Sequence, residues 1–390
     1  MVTFLCVWEL GGGLGHLMTL KPIAEQLEQL NYRVIFVVQY LPRARFLIEA
    51  GFECVQAPIL KSLSGVSPPN SMAQILARRG YSDVNKLEGV VCEWIKIYRK
   101  INPDLILVDY APTAILAARK GLIPVVAIGN GFVFPPRDRW ACNLRPWLVD
   151  ENLRSIEERI VENVNQVAKS QGLVGINRVS DLFYGDKNFI YDLQETDVYK
   201  RSQFCYILQK HEPNGFPIPV WKTKDKLKIA GYLKSGFKEN HRIISALSKI
   251  DAEVKLAVLG MPGDDKPKAD NITIYTKPID LSALISDSNA VIYHAGGILK
   301  EVVLKGKVSL LAPMQLEQFH YAQRMEKNSF GEMINFKSSD LVGQFNEVLN
   351  NQRYVRNVEA VKKKYGKSGS WYSSYEIARR ISDLALRKSG

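Results

Sequence analysis

The 390-residue sequence contains no apolar run approaching the ~20 residues that cross a bilayer, so no membrane-spanning helix is expected. Its opening, MVTFLCVWEL, lacks the basic stretch and small-residue cleavage site of a secretory leader. Cysteine is scarce. Cys6, Cys54, Cys92, Cys142 and Cys205 are widely spaced and odd in number, with no C-x-x-C and no paired Cys/His spacing, so neither a disulfide framework nor a zinc site is supported. Buried free thiols in a reducing cytoplasm are the expectation. No nucleic-acid motif is present, although Lys+Arg exceed Asp+Glu by 52 to 40 for a net charge of +12. The basic residues are spread along the chain, which leaves an anionic small ligand as the expected partner. The densest cluster, Lys362-Lys363-Lys364 with Lys367, reads as a solvated helix face; peripheral contact with an anionic membrane is the minority alternative.

What is present is a folded composition, 46% apolar, in a chain too long for one ordinary core. Two domains are expected, residues 1–210 and 227–370. A Pro-rich linker at 211–226 joins them, and a terminal helix occupies 371–390. Strand and helix patterns alternate throughout, implying α/β architecture with doubly wound parallel sheets.

The first half opens on a buried strand, Phe4 to Trp8, then the loop Gly11-Gly12-Gly13-Leu14-Gly15-His16. A helical stripe follows at Leu20, Ile23, Ala24, Leu27 and Leu30, with Pro22 read as the start of the regular helix. Arg33 to Val38 is the second strand. The loop reads G-x-G-x-G-H, and Gln39-Tyr40 stand where a dinucleotide-binding unit carries an acid, so a dinucleotide cofactor is disfavoured. Pro58 to Gly80 reads as a mobile loop, and Tyr81 to Lys100 as a helix ended by Asn102-Pro103. The next strand closes on Asp109. Asn130 to Trp147, rich in aromatics, proline and arginine, suits an apolar acceptor with hydroxyls, though ordinary loop packing also explains it.

The most informative stretch is Asn289 to Ala322. An apolar run, Ala290 to Tyr293, ends at His294. The pair Gly296-Gly297 follows, then a helical pattern to Gly306, a second apolar run to Leu311, Pro313 and Glu317-Gln318. A glycine turn opening a helix leaves backbone N–H groups for an anion. That order resembles the C-terminal donor motif of the UDP-glycosyltransferase and macrolide-glycosyltransferase families. His294, Gly296, Glu301, Gly306, Pro313, Glu317 and Gln318 match it. The departures are specific. Glu301 is one place closer to the histidine, Val308 replaces a proline, and Ile298-Leu299 replace a Gly/Asn and Ser/Thr pair. Gly260-Met261 lacks a serine of the pattern, and Thr276-Lys277-Pro278-Ile279 retains only the proline of a base-holding Trp-x-Pro-Gln.

The resemblance implies a GT-B fold, two Rossmann-like domains facing across a cleft, in a bacterial branch of that superfamily. It implies a glycosyltransferase that moves a sugar from a UDP- or dTDP-linked donor to a hydroxyl acceptor, small or lipid-linked. The reaction would invert the anomeric centre. It would need no metal and no cofactor beyond the nucleotide-sugar co-substrate, and no D-x-D metal motif stands in the expected cleft loops. It makes His16 the general base and Asp109 its partner, although Asp109 also reads as a helix N-cap. Gly13 and Gly15 would shape the loop. His294 with the N–H groups of Gly296, Gly297 and Ile298 would hold the diphosphate. Glu317 and Gln318 would hold sugar hydroxyls, Glu301 the ribose, and Gly260 and Pro278 would border the nucleotide. The missing hydroxyl and base-holding residues favour an alternative, a non-catalytic nucleotide-sugar-binding protein or partner subunit. A sugar-nucleotide epimerase of the same fold is a third.

Overall fold

A computed structural model of the chain describes residues 1–12, 14–60, 68–121, 123–201, 206–209, 215–262, 269–366 and 371–386. The strands are β1 (Thr3–Trp8), β2 (Arg33–Val38), β3 (Glu53–Gln56), β4 (Leu105–Asp109), β5 (Val125–Gly129), β6 (Lys187–Ile190) and β7 (Leu208–Gln209), then β8 (Leu227–Tyr232), β9 (Ala252–Ala257), β10 (Ile272–Tyr275), β11 (Ala290–Tyr293), β12 (Val308–Leu311), β13 (Gly331–Met333) and β14 (Trp371–Tyr372). The helices are α1 (Gly15–Gln29), α2 (Arg45–Glu49), α3 (Met72–Leu76), α4 (Val84–Ile101), α5 (Pro112–Ala118) and α6 (Leu153–Gln171), then α7 (Asn240–Leu247), α8 (Leu281–Ser286), α9 (Leu299–Leu304), α10 (Leu316–Lys327), α11 (Leu341–Asn350), α12 (Gln352–Gly366) and α13 (Ser374–Leu386).

Two six-stranded parallel sheets organise these elements. Their orders are β3-β2-β1-β4-β5-β6 and β10-β9-β8-β11-β12-β13, the same doubly wound topology twice. β1, β4 and β5 are buried along their whole length, as strands covered by helices on both faces must be. In that order the direction of winding reverses between the first and fourth strands of each sheet, which stay parallel, and ligands bind at the carboxyl ends there.

The chain divides into two compact units. The first holds Met1–Asp192, Arg201–Lys210 and Tyr372–Gly390; the second holds Leu193–Lys200 and His211–Trp371. In the first, α13 lays Ile377, Ala378, Ile381 and Ala385 into the core beside Leu20, Ile23 and Leu27 of α1. Leu193–Lys200 joins the second unit because Glu195 fastens it there. Its carboxylate accepts from Tyr365 (2.7 Å) and Lys364, and its carbonyl accepts from Arg324 and Asn328. Of the expected linker, 211–214 lies outside the described residues. The rest is pinned to the second sheet by Glu253 of β9, whose carboxylate accepts from Lys222 N, Thr223 N and the Thr223 hydroxyl.

Two local expectations are corrected. α1 begins at Gly15, and Pro22 lies inside it. The carbonyl that loses its N–H partner to Pro22 is that of Met18, on the exposed side of the helix where water can serve it. The segment 58–80 is not wholly a loop. Residues 61–67 lie outside the described residues, but α3 and a π-helical turn, Ala77–Tyr81, follow. Met72, Ala73, Leu76 and Tyr81 are buried there, and Ser71 caps α3 by accepting from Gln74 N at 3.1 Å.

Candidate active site

Register sets the candidate group of the first unit. β1 and β4 run side by side with Trp8 opposite Asp109, so the loop after Trp8 and the turn after Asp109 leave the sheet together. Leu10 N donates to the Tyr110 carbonyl at 2.9 Å and closes that edge. α1 starts at Gly15 and so carries His16 back over the strand ends. His16 Nδ1 lies 2.9 Å from Asp109 Oδ1, with side-chain exposures of 15% and 3%. A carboxylate acceptor at Nδ1 keeps the proton on that nitrogen and the basic lone pair on Nε2. The imidazole lies between two aromatic rings. Trp8 is stacked at 5.9 Å and 20°, and Tyr110 lies at 6.0 Å.

Two glycines make room for this pair. Gly11 has φ +89°, and a Cβ there would stand 2.3 Å from His16 Nε2. A Cβ on Gly129, at the end of β5, would stand 3.1 Å from Asp109 Oδ1 and 2.6 Å from Val133. Arg43 donates to the Gly12 carbonyl and braces the loop. Gly15 opens α1 on the exposed side; Gly13 lies outside the described residues.

A second candidate group, in the other unit, lies at the equivalent edge of its sheet, where β11 ends and the chain turns through Gly296-Gly297-Ile298 into α9. Among the described residues, no backbone carbonyl accepts from the N–H groups of those three residues. His294 is committed at both ring nitrogens. Lys234 N donates to Nε2 at 2.9 Å, and Nδ1 lies 2.7 Å from the Ala312 carbonyl. That fixes the Nδ1–H tautomer. Burial and the Lys234 charge hold the imidazole below its ordinary range, against the Ala312 hydrogen bond. Phe237 packs edge-on against its ring at 5.0 Å. His294 thus ties the exits of β8, β11 and β12 together.

The other expected donor residues sort into two groups. Gln318 joins the turn: its Oε1 accepts from Met314 N at 2.8 Å, and its Nε2 stands 3.5 Å from where a Gly296 Cβ would be. Glu317 and Gln318 sit within the first turn of α10. Gly260 N donates to the Thr276 carbonyl at 3.1 Å, which brings the exits of β9 and β10 together with Pro278 exposed just beyond. Glu301 is drawn away from this group. It pairs with Lys305 at 3.0 Å along its own helix, and Lys305 reaches Ser282 and Ser286 of α8.

In each unit the chain leaves the fourth strand through a left-handed, non-glycine residue, Tyr110 (φ 53°) after β4 and Ala295 (φ 54°) after β11. Such conformations cost about 1–3 kcal/mol and gather where strand ends are aimed at a site. A cavity of about 270 Å³ in the first unit is elsewhere. Val125, Asp186, Arg119 and Arg137 line it at the amino end of β5, the edge opposite Asp109.

No family model and no curated protein matches the sequence. The structure does have relatives. The spinosyn rhamnosyltransferase SpnG superposes with a TM-score of 0.69 at 17% identity, over 97% of this chain and 99% of its own. SsfS6, a glycosyltransferase of Streptomyces sp. SF2575, gives 0.68 at 14% identity, over 98% and 100%. The glycosyltransferase VinC, solved in complex with dTDP, gives 0.68 at 16% identity, over 99% and 100%. The fold is GT-B. Two sheets of identical strand order, one per unit, are its two Rossmann-like parts, and the His16–Asp109 pair and the Gly296–Ile298 turn stand one on each.

Sequence reasoning had named His16 and Asp109 but not what shapes them. Trp8 reads only as a strand residue, and Gly129 carries no signal of its own. Lys234 and Phe237 carried a usable signal, since Lys234-Ser235-Gly236 is a second glycine turn directly after an apolar strand.

Proposed function

We propose that this protein is a glycosyltransferase. It moves a sugar from a nucleoside diphosphate sugar, UDP- or dTDP-linked, to a hydroxyl of a small or lipid-linked acceptor. The observation that carries the reading is the His16–Asp109 pair, 2.9 Å apart at the carboxyl edge of a GT-B sheet. A hydroxyl is a poor nucleophile near neutral pH. An imidazole with its lone pair on Nε2 removes the proton as the oxygen attacks the anomeric carbon, and the Asp109 carboxylate stabilises the imidazolium that forms. The bond to the diphosphate breaks, and a single displacement inverts the anomeric centre. The N–H groups of Gly296, Gly297 and Ile298 receive the leaving charge, so the reading calls for no metal. His294 meets the diphosphate only by giving up Lys234 N–H and taking a proton on Nε2; otherwise it acts as a strut behind the turn. Glu317 and Gln318 hold sugar hydroxyls. That SpnG was solved with thymidine diphosphate and with spinosyn aglycone supports a donor and an acceptor of these classes.

A second reading, a nucleotide-sugar-binding protein without turnover, draws support from Ile298 and Leu299, which offer the turn no hydroxyl. One experiment separates the two. Wild type and His16→Ala are titrated with dTDP, UDP, GDP and ADP by thermal shift, then assayed for diphosphate release from the matching sugar nucleotide with hydroxylated acceptors. One diphosphate should stabilise both proteins alike, by about 2.7 kcal/mol at a hundred times its Kd. Only wild type should turn over. Binding with no turnover in wild type would favour the second reading, and turnover in His16→Ala would remove His16 as the base.

A further inference from the structure

Glu9 follows Trp8, whose ring stacks on His16, and its carboxyl is buried in the first unit at 3% exposure. It accepts from the first turn of α5: Oε2 from Thr113 N at 2.8 Å and Ala114 N at 3.2 Å, and Oε1 from the Thr113 hydroxyl. The Thr113 hydroxyl lies 2.6 Å from the Tyr81 hydroxyl, and the Tyr98 hydroxyl donates to the Ala114 carbonyl at 2.8 Å. Between Glu9 and Thr113 runs the turn Asp109-Tyr110-Ala111-Pro112, which holds the His16 partner and the left-handed Tyr110. Glu9 and the Leu10–Tyr110 hydrogen bond both tie across that turn.

We propose that Glu9 is a positioning residue of the His16–Asp109 pair: its carboxyl joins the loop that leads to His16 to the helix that follows Asp109, and so fixes the distance between them. The proposal rests on the reading of His16 as base only for its effect on rate. Burial pushes the Glu9 carboxyl up to about 7 despite the Thr113 and Ala114 hydrogen bonds and the Arg79 charge. Tyr81 and Tyr98, which face it, are pushed well above the ordinary phenol range and stay neutral. With the proton on Oε1, the bond to the Thr113 hydroxyl reverses while Oε2 keeps both N–H groups. The tie therefore holds in both charge states, and glutamine can imitate the protonated one.

The test uses protein labelled with [15N]histidine, which contains five histidines. In wild type, His16 should show the Nδ1–H tautomer and a slowly exchanging low-field proton from its bond to Asp109. His294, with Nδ1 on a carbonyl, is the internal control for folding. Glu9→Gln should keep the His16 signature. Glu9→Ala should lose it while His294 is unchanged, and should lower kcat at least tenfold with little effect on KM. Should Glu9→Ala fail to fold, Glu9→Asp, one methylene short, should weaken the same proton signal. An unchanged His16 signature in the folded Ala or Asp variant overturns the proposal. A lost signature with no turnover even in wild type leaves it standing and removes the glycosyltransferase reading instead.

Discussion

Gly11→Ala tests whether the glycine loop exists to seat His16. The new methyl carbon would stand 2.3 Å from Nε2, 3.0 Å from Cδ2 and 3.2 Å from Cε1 of the imidazole. Carbon makes relaxed contacts near 3.5 Å, so the ring or the loop must give by about 1 Å. A ring displaced by that much no longer meets Asp109, now 2.9 Å from Nδ1, in the same hydrogen-bond geometry. The loop cannot absorb it cheaply, because φ at Gly11 is +89° and a side chain there costs about 1–2 kcal/mol. A 1 Å misplacement of a catalytic group costs on the order of 100-fold in rate. The matched control is Gly12→Ala, where an added methyl meets nothing within 4 Å. The assay is kcat with the sugar nucleotide selected by thermal shift, read beside the His16 15N signals. Gly11→Ala should lose about two orders of magnitude and its Nδ1 proton signal; Gly12→Ala should keep both. Wild-type kcat in Gly11→Ala, or equal losses in the two variants, would refute the seating argument.

Two further outcomes follow from buried groups of the second unit. His294→Ala leaves Lys234 N–H and the Ala312 carbonyl without their partner and should destabilise the ligand-free protein by about 1–3 kcal/mol, measured by denaturant titration. Because the folded imidazole is held below its unfolded value, the unfolded state binds the extra proton. Its contribution is complete above about pH 6.5 and lost as pH falls; a flat difference between wild type and His294→Ala from pH 8 to 5 would contradict that. Glu253 is the reverse case in chemistry and the same in sign. Burial would raise its carboxyl, but the Lys222 and Thr223 N–H groups, the Thr223 hydroxyl and Lys255 hold it to about 2, so its contribution is present above about 4.5 and lost as pH falls towards 2. Glu253→Gln also leaves Lys255, 2% exposed, without its ion pair, for a loss of about 3 kcal/mol and faster proteolytic cleavage within 215–226. Unchanged cleavage would mean that Glu253 does not pin that segment.

The fold was legible because it is written in period and punctuation. Buried runs such as Leu105–Asp109 and Ala290–Tyr293 are unbroken, the stripe at Leu87, Val91, Trp94 and Tyr98 is helical, and Asp83 and Asn102 close α4 with an acceptor to Lys86 N and a left-handed residue. Pro22 misled because local propensity yields to packing: Leu17 and Leu20 are buried, and that burial carries α1 through the proline from its amino-terminal side. The helical turns in 68–81 were hidden by their brevity, since α3 is five residues long and too short to show a period.

The candidate groups of the two units differ in how far sequence could reach them. His16 and Asp109 are side chains whose types announce their chemistry, and they meet because β1 and β4 are neighbours in a sheet whose order the strand–helix alternation implies. The group proposed to hold the donor is made largely of backbone, and backbone geometry has no letter of its own. His294 shows the consequence. As a letter it reads as a donor to phosphate, but its ring closes a ring of main-chain groups, Lys234 N on one side and the Ala312 carbonyl on the other. The same reasoning explains how the turn can do without the hydroxyl it lacks. If N–H groups carry the diphosphate, what matters at 298 and 299 is that the chain holds its turn, and Leu299, buried at 2% exposure, anchors it to the core. The burial of Leu299 accounts for an apolar residue at that position by packing alone, whichever of the two functional readings holds.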